Sequence, residues 1–303
     1  MNRLAASLAT AALATGMLAL GGCSSYPSVG QAVAQATPQA AVDGSSLLSE
    51  GVLTVGVNSA NAPYAWQPDA SVADITGSDV DVAIALADEM GLTVRFVNVG
   101  ENGFSQAGSS CDVVMGVGSS QVAGTSVNVV ANYAETAPAV FGLNPSGVVS
   151  LDALAAARVG VQADSASAKA LATKLPALST QQFSTLNDAF DALSSGSVDY
   201  VVCDSYLGGY LATSYDGVGF AGALEAPTAR GIAVSATNSA LQSAVSQAFD
   251  AIAGDGVLDV IRTSWVGDLP SAVTDKQVTG TAPAAPAQEA AEQPAPATEQ
   301  PAA

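Results

Sequence analysis

Few side chains in this 303-residue chain can do chemistry, and the candidates stand where predicted strands end. Asp204 closes an apolar run, Val198–Val202, that reads as a strand, and ligands of open α/β sheets bind beyond the carboxyl ends of strands. A carboxylate there gives a charge-assisted hydrogen bond to an ammonium group. The alternative is an Asp that caps a helix starting at Ser205. Asp164, Ser165, Ala166 and Ser167 open a helix directly after the strand Val159–Gln162. Free N–H groups at such a start accept a carboxylate, and a simple N-cap is the alternative. Ser119 and Ser120 follow a third apolar run, Val113–Val117, and offer hydroxyl and N–H groups to a ligand or to a turn. Tyr64 supplies a flat apolar wall that stacks on a ligand or faces a cation, or else packs at a rim on Pro63. Trp66, two residues on, suits either such a wall or a core.

Composition removes other chemistries. The chain has no histidine, which excludes Ser-His-Asp and Cys-His catalysis and the common His-containing zinc sites. A general acid would have to be Asp or Glu; Asp204 and Glu135 are the candidates, and no paired-carboxylate motif points at them. No metal site, cofactor or catalytic residue is expected. With 8 basic and 27 acidic residues the net charge is −19, which opposes nucleic acid or anionic membrane as a partner. Cys111 precedes one apolar run and Cys203 follows another. As parallel strands these runs would hold the thiols at opposite ends, beyond the roughly 7 Å reach of a disulfide; two free, partly buried thiols are expected.

The elements that must position these residues alternate between strand and helix patterns. Val52–Val57 reads as a strand, and Ser78-Asp79-Val80-Asp81 fits a capping box with Ser78 as N-cap. Val80, Ala83, Ile84, Ala87 and Met90 follow at helical spacing, with Gly91 as the stop, and Val94–Val99 is the next strand. This is a βαβ unit with parallel pairing and a right-handed crossover. A second set holds the strand Val159–Gln162, a helix from Ser165 to Lys174 and a helix on Leu186, Phe190 and Leu193 capped at Thr185. It ends with the strand Val198–Val202. Leu241, Val245, Ala248, Phe249 and Ile252 make an amphipathic helix stopped by Gly254, and Val257–Trp265 is a further helix.

The ends differ from this middle. Arg3, an Ala/Leu-rich stretch and Leu20-Gly21-Gly22-Cys23 read as an export signal over residues 1–22 rather than a membrane span. Leu-Gly-Gly-Cys resembles the bacterial lipobox, whose Cys is lipidated, so Cys23 is expected to anchor the mature chain to the extracellular face of the cell membrane. Cleavage removes Arg3 and no acid, leaving 7 basic against 27 acidic residues, a charge of −20. Residues 23–45 read as a flexible tether of roughly 25 Å root-mean-square span. Residues 270–303 carry six prolines and no aromatic residue and read as a disordered Pro/Ala/Glu-rich tail.

In their order, a series of segments resembles the amino-acid-type solute-binding proteins of bacterial ABC importers, family 3, in lipoprotein form. The early pieces are Gly51–Val57, Ala62-Pro63-Tyr64-Ala65-Trp66, Gly77–Ala83 and Cys111-Asp112-Val113-Val114-Met115. The later ones are Val159–Gln162, Asp199–Ser205, Gly231–Val234 and Asp255-Gly256-Val257 running to Trp265-Val266-Gly267. The resemblance implies a periplasmic-binding-protein-like α/β fold of the class II type, with two lobes joined by two hinge-crossing strands. Lobe one would be 46–138 plus 232–269 and lobe two 139–231, with crossings near Pro138–Gly142 and Arg230–Ala233. The expected ligand set is Tyr64, Trp66, Ser119, Ser120, Ser165 and Asp204, of which the resemblance supports Tyr64 and Asp204. Tyr64 would lie over the ligand and Asp204 would pair with its amino group. A small polar solute, an importer permease and, through the lipid, a membrane would be the partners of a monomer.

The chain departs from the family at one place. Amino-acid binders carry an Arg about a dozen residues after the Asp that opens the Val113–Val117 strand, to clamp the ligand carboxylate. Here that count from Asp112 reaches Gly124, and no Arg or Lys occurs between Arg95 and Arg158. The expectation is a cationic or weakly anionic ligand, or a carboxylate met by N–H and hydroxyl groups near Ser119 and Ser165. Arg230 as a substitute is set against a surface or hinge role. A dehydratase or lyase on the same fold, and a ligand-binding sensor or surface lipoprotein, are the competing functions.

Overall fold

The computed structural model describes residues 42–68 and 75–280. Cys23, the export segment and most of the tether lie outside the described residues, as does the tail from residue 281. The first unit opens with β1 (Val52–Val57), followed by the short hairpin β2 (Ala60–Asn61) and β3 (Ala65–Trp66). Then come α1 (Ser78–Glu89), β4 (Thr93–Asn98), β5 (Val113–Val117) and the long β6 (Val127–Thr136). β1 pairs in parallel with β4 and with β5, which is the βαβ arrangement the periodicity predicts. Leu53, Val55 and Val57 are fully covered, packed with Leu86 and Met90 from α1.

After Ala137 the chain enters a second sheet. Its elements are β7 (Pro138–Leu143), α2 (Leu151–Ala155), β8 (Val159–Gln162), α3 (Ala166–Lys174), β9 (Gln181–Phe183) and α4 (Leu186–Ser194). They continue with β10 (Tyr200–Asp204), α5 (Ser205–Ala212) and β11 (Val218–Ala223). The strand order is β11-β7-β10-β8-β9, with β10 and β9 parallel to β8 and with β7 antiparallel to β10 and β11. One face carries Phe141, Phe190 and Leu193, and the other carries Val161, Leu154 and Leu171. The chain then returns in β12 (Thr228–Ser235), followed by α6 (Ser239–Gly254) and α7 (Val257–Val266). β12 runs antiparallel between β5 and β6, completing the first sheet as β4-β1-β5-β12-β6.

Two α/β lobes joined by two crossings result. The outgoing crossing is at Ala137, one residue before the expected Pro138–Gly142. The return lies at 224–227, between β11 and β12, whereas the expected Arg230–Ala233 is interior to β12. Pro227 explains the shift, because it has no N–H to give a ladder and so stands outside the strand.

Three local differences follow from specific contacts. The capping box at Ser78 does not form: Gly77 is the N-cap of α1, and Asp81 instead accepts the Trp265 Nε1 hydrogen bond at 2.7 Å. Cys111 and Cys203 are free, as expected, though fully rather than partly buried, and they are apart because they belong to different lobes rather than to opposite strand ends of one sheet. Residues 270–280, read as the start of the tail, are folded on the second lobe. Val278 N donates to Ala223 O at 2.8 Å, Leu151 N donates to Thr279 O at 2.8 Å, and Val273 is buried. Composition averaged over 34 residues hid the apolar Val273 and Val278 that fasten this stretch. Val266 and Leu269, at the end of α7, likewise pack with Phe141, Phe190 and Tyr206 in the second lobe's core.

Candidate functional site

A cavity of about 190 Å³ opens where β1 and β5 end, lined by Asn58, Asn61, Asp79, Gly116, Gln121 and Arg230 among others. This is where a parallel sheet presents ligands, since the loops there diverge. A second cavity of about 220 Å³ lies toward the helices, among Val82, Leu258, Ile261, Arg262 and Leu269. It is bordered by the end of β6, Tyr133–Glu135, and not by the ends of the parallel strands β1 and β5, so the first is the better candidate.

Arg230 organises the first cavity. It projects from β12, and its Nη2 donates to Asp79 Oδ2 at 2.8 Å, with side-chain exposures of 16% and 4%. The guanidinium carbon lies 3.6 Å from the centre of the Tyr64 ring, a cation–π contact. Gly116 makes room for it. A Cβ at that position would lie 2.3 Å from Arg230 Nη2, and its φ of 78° is in the region that only glycine occupies freely. Burial opposes the charge on Arg230, but the Asp79 carboxylate, with Tyr133 and Tyr64 behind it, holds the guanidinium pKa above its ordinary value. Tyr133 donates its own hydroxyl to Asp79 Oδ1 at 2.7 Å, so the carboxylate is held from two sides.

The start of α1 fixes Tyr64 against this pair. Ser78 N donates to Pro63 O at 3.0 Å and Asp79 N to Tyr64 O at 2.9 Å. Gly77 is required between them, because a Cβ there would meet the Tyr64 carbonyl oxygen at 2.0 Å. The other face of Tyr64 is covered from the second lobe by Tyr206, with ring centres 4.7 Å apart and planes 19° apart. The Tyr64 hydroxyl faces Thr136 without a partner of good geometry. Burial first, and the nearby Asp204 second, push its pKa well above the ordinary value.

The sequence-derived residues fall in different places. Tyr64 and Asp204 are brought to the same interlobe cluster. Asp204 is the N-cap of α5: its Oδ1 accepts from Tyr206 N and Leu207 N at 3.0 Å each, and its Oδ2 accepts from Thr136 Oγ1. Ser165 is the N-cap of α3, accepting from Ala168 N at 3.1 Å. Ser119 and Ser120 are exposed in the turn after β5 and do not line the cavity. Trp66 is 44% exposed on β3, outside the Tyr64 cluster. Cys23 lies outside the described residues.

Asn58, Asp79, Tyr133, Tyr206 and Gln121 carry no sequence signal of comparable strength, since each reads as a turn, cap or core residue. Arg230 had one: it is among only 8 basic residues, directly before the apolar Gly231–Val234 run. Among the described residues no cluster of His, Cys, Asp and Glu suited to a metal occurs, and no helix is long and apolar enough to cross a membrane.

The arrangement of two lobes, two crossings and a polar cavity at strand ends has known counterparts. A polar amino acid ABC uptake transporter substrate-binding protein from Streptococcus thermophilus aligns with TM-score 0.65 and 20% identity, over 75% of this chain and 89% of that one. The unliganded, open L-cystine solute receptor of Neisseria gonorrhoeae aligns with TM-score 0.61 and 19% identity, over 73% and 95%. An ancestral cationic amino acid solute-binding protein aligns with TM-score 0.59 and 24% identity, over 71% and 96%. These likenesses establish a common fold. No curated protein sequence matches. Residues 53–268 match the family described as bacterial extracellular solute-binding proteins, family 3, and the chain belongs to that family.

Proposed function

We propose that this chain is the extracellular solute-binding component of an ABC importer, held at the membrane through lipidated Cys23. It captures a small polar solute, an amino acid or amine-like compound, between its lobes and delivers it to a permease. The observation that carries this reading is the pairing of a polar cavity at the ends of β1 and β5 with two single-stretch crossings, Ala137 and residues 224–227. Rotation about two such crossings parts Tyr64 from Tyr206 and opens the strand ends of both lobes to one solute. Tyr64 and Asp204 would then face the opening, with Ser119, Ser120 and Ser165 at the two loop rims. A solute that touches both lobes selects, by its differential affinity, a closed state in which it takes the place of the Tyr64–Tyr206 stack.

The protein acts by binding, without turnover. Glu135 Oε2 accepts from Val273 N and Thr274 Oγ1, and Asp204 accepts from three donors, so both candidate acids are engaged structurally. The test is a thermal-shift screen of amino acids and amines against the purified monomer, followed by mass analysis of the recovered solute. Stabilisation with the solute intact is expected, because a ligand of the native state raises stability with occupancy. Conversion of the solute would refute the reading, as would the absence of any stabilising amino acid or amine. Metabolic labelling with palmitate tests the anchor, and Cys23→Ser should abolish the label.

A further inference from the structure

We infer that α7 and the stretch after it form a third connection between the lobes, a clasp that braces both crossings and holds the lobes together when no solute is bound. α7 starts in the first lobe, where Val257, Leu258 and Ile261 pack on the core that holds Leu86 and Met90. Its end belongs to both lobes. Trp265 Nε1 donates to Asp81 Oδ2 of α1 at 2.7 Å, and its ring lies 6.1 Å from that of Tyr210 on α5. The next residue, Val266, and then Leu269 are buried with Phe141, Phe190 and Tyr206 of the second lobe. One helix end thus staples the two lobes at consecutive residues.

The second lobe is shaped to receive this end. α5 carries two adjacent glycines, Gly208 and Gly209, which weaken a helix relative to alanine. Packing accounts for both. A Cβ on Gly208 would lie 2.3 Å from the Phe141 ring, and one on Gly209 would lie 3.1 Å from Val266 Cβ and 3.2 Å from Leu269 Cβ. Gly209 is therefore the seat of the clasp, and Arg262 Nη1 donates to Leu269 O to turn the chain there. Farther on, Val273 is buried against Ala137, the outgoing crossing, and Ala223, which adjoins the return crossing. Val273 N donates to Glu135 Oε2 of β6 at 3.2 Å, and Val278 N to Ala223 O at 2.8 Å. Rotation about the crossings has to lift Val266 and Leu269 from the second lobe or slide Val273 off the hinge. Either movement exposes apolar surface to water, so the unliganded lobes stay shut.

The test follows lobe separation and needs no solute, so it stands apart from the solute-binding reading. Nitroxide labels go on Ser120→Cys, in the turn after β5, and Ala166→Cys, at the start of α3, both exposed and on different lobes. Cys23→Ser removes a third thiol, Cys111 and Cys203 being buried. After denaturation, dialysis and refolding to strip any solute, pulsed electron paramagnetic resonance should give a single interlobe distance. Gly209→Leu favours the helix but fills the seat of Val266 and Leu269, and should raise a longer-distance population at least about tenfold. Leu269→Asp should do the same, since a carboxylate leaves an apolar seat. Val260→Asp, on the face of α7 that is 68% exposed, should change nothing. If the first two variants do not fold, Val273→Ala, which only trims the side chain at the crossings, is read in their place and should shift the distances in the same direction. Two distances in the wild type, or an unchanged single distance in the folded variants, would overturn the inference.

Discussion

Replacing Asp79 by Ala isolates the energetic weight of the Arg230 cluster. Asp79 is 4% exposed and its partner Arg230 16% exposed, so removing the carboxylate leaves a buried guanidinium with only the Tyr64 face for company. Breaking one side of such a pair costs about 3–5 kcal/mol, because the orphaned charge keeps its desolvation penalty. The Tyr133 hydroxyl loses its acceptor in the same step, placing the substitution toward the upper part of that range. For a folded body of this size each kcal/mol moves the thermal midpoint roughly 2–4 °C, so a fall of roughly 8–20 °C is expected. The assay is thermal unfolding followed by near-ultraviolet circular dichroism, which reports the buried tyrosines. Arg158→Ala is the control, because the Arg158–Asp199 pair is 59% and 41% exposed and screened by water, and its midpoint should barely move. The double variant Asp79→Ala/Arg230→Met should recover much of the loss, since removing both charges removes the unpaired one. An Asp79→Ala shift no larger than that of Arg158→Ala would refute the buried pair. So would a double variant less stable than Asp79→Ala.

Other expectations follow from single contacts. Asp112 is buried and accepts from Leu48 N at 2.8 Å and Thr54 N at 2.7 Å, so Asp112→Ala should cost roughly 3–6 kcal/mol in urea unfolding, at about 1.5–3 kcal/mol per bond to a charged group. Gly116→Ala drives a methyl group into Arg230 and forces a positive φ, and should lower the thermal midpoint by several degrees. Burial, then Asp112, pushes the Cys111 thiol up to about 11. A raised folded value means that this contribution to stability is complete below the unfolded value near 9 and is lost as pH rises from there to about 11. Cys111→Ala should flatten the urea midpoint across that window. A wild-type curve that stays flat there would count against the buried thiol.

How much of this was legible in the sequence depended on the range over which each feature is decided. The βαβ unit, the caps at Thr185 and Ser165 and the helix from Leu241 rest on neighbours within a few residues, and they form where their patterns place them. β6 and β7 did not announce themselves, because Val127–Leu143 mixes polar and apolar residues without a clean period, and pairing with β12, β10 and β11 holds it extended. The site divides in the same way. Asp204 was found as a strand-end acid, yet sequence cannot say that Tyr206 N, Leu207 N and Thr136 would take up its oxygens. Arg230 and Asp79 are 151 residues apart, and nothing local pairs them. The absent Arg near Gly124 and the isolated Arg230 are both visible in the sequence, but the Asp79 and Tyr64 contacts of Arg230 are not.

The Tyr64–Tyr206 stack sets a competition that can be measured. It joins the two lobes at the place a solute would enter, and such a pair contributes about 0.5–1.5 kcal/mol beyond its area. A solute that must part the rings binds a state that this contact disfavours, and apparent affinity falls by the fraction of open protein. Tyr206→Ala should therefore strengthen binding of a solute seated in the Arg230 cavity by roughly two- to tenfold, since RT ln of that factor spans the same energy. Stability should drop at the same time, because Tyr206 is 5% exposed and packs with Phe141, Phe190 and Leu269. The two signs together are diagnostic. If Tyr206 instead lies against the bound solute, its loss weakens binding along with stability. Calorimetric titration of wild type and Tyr206→Ala with the same amino acid separates the cases, and weaker binding in the variant would refute the competition.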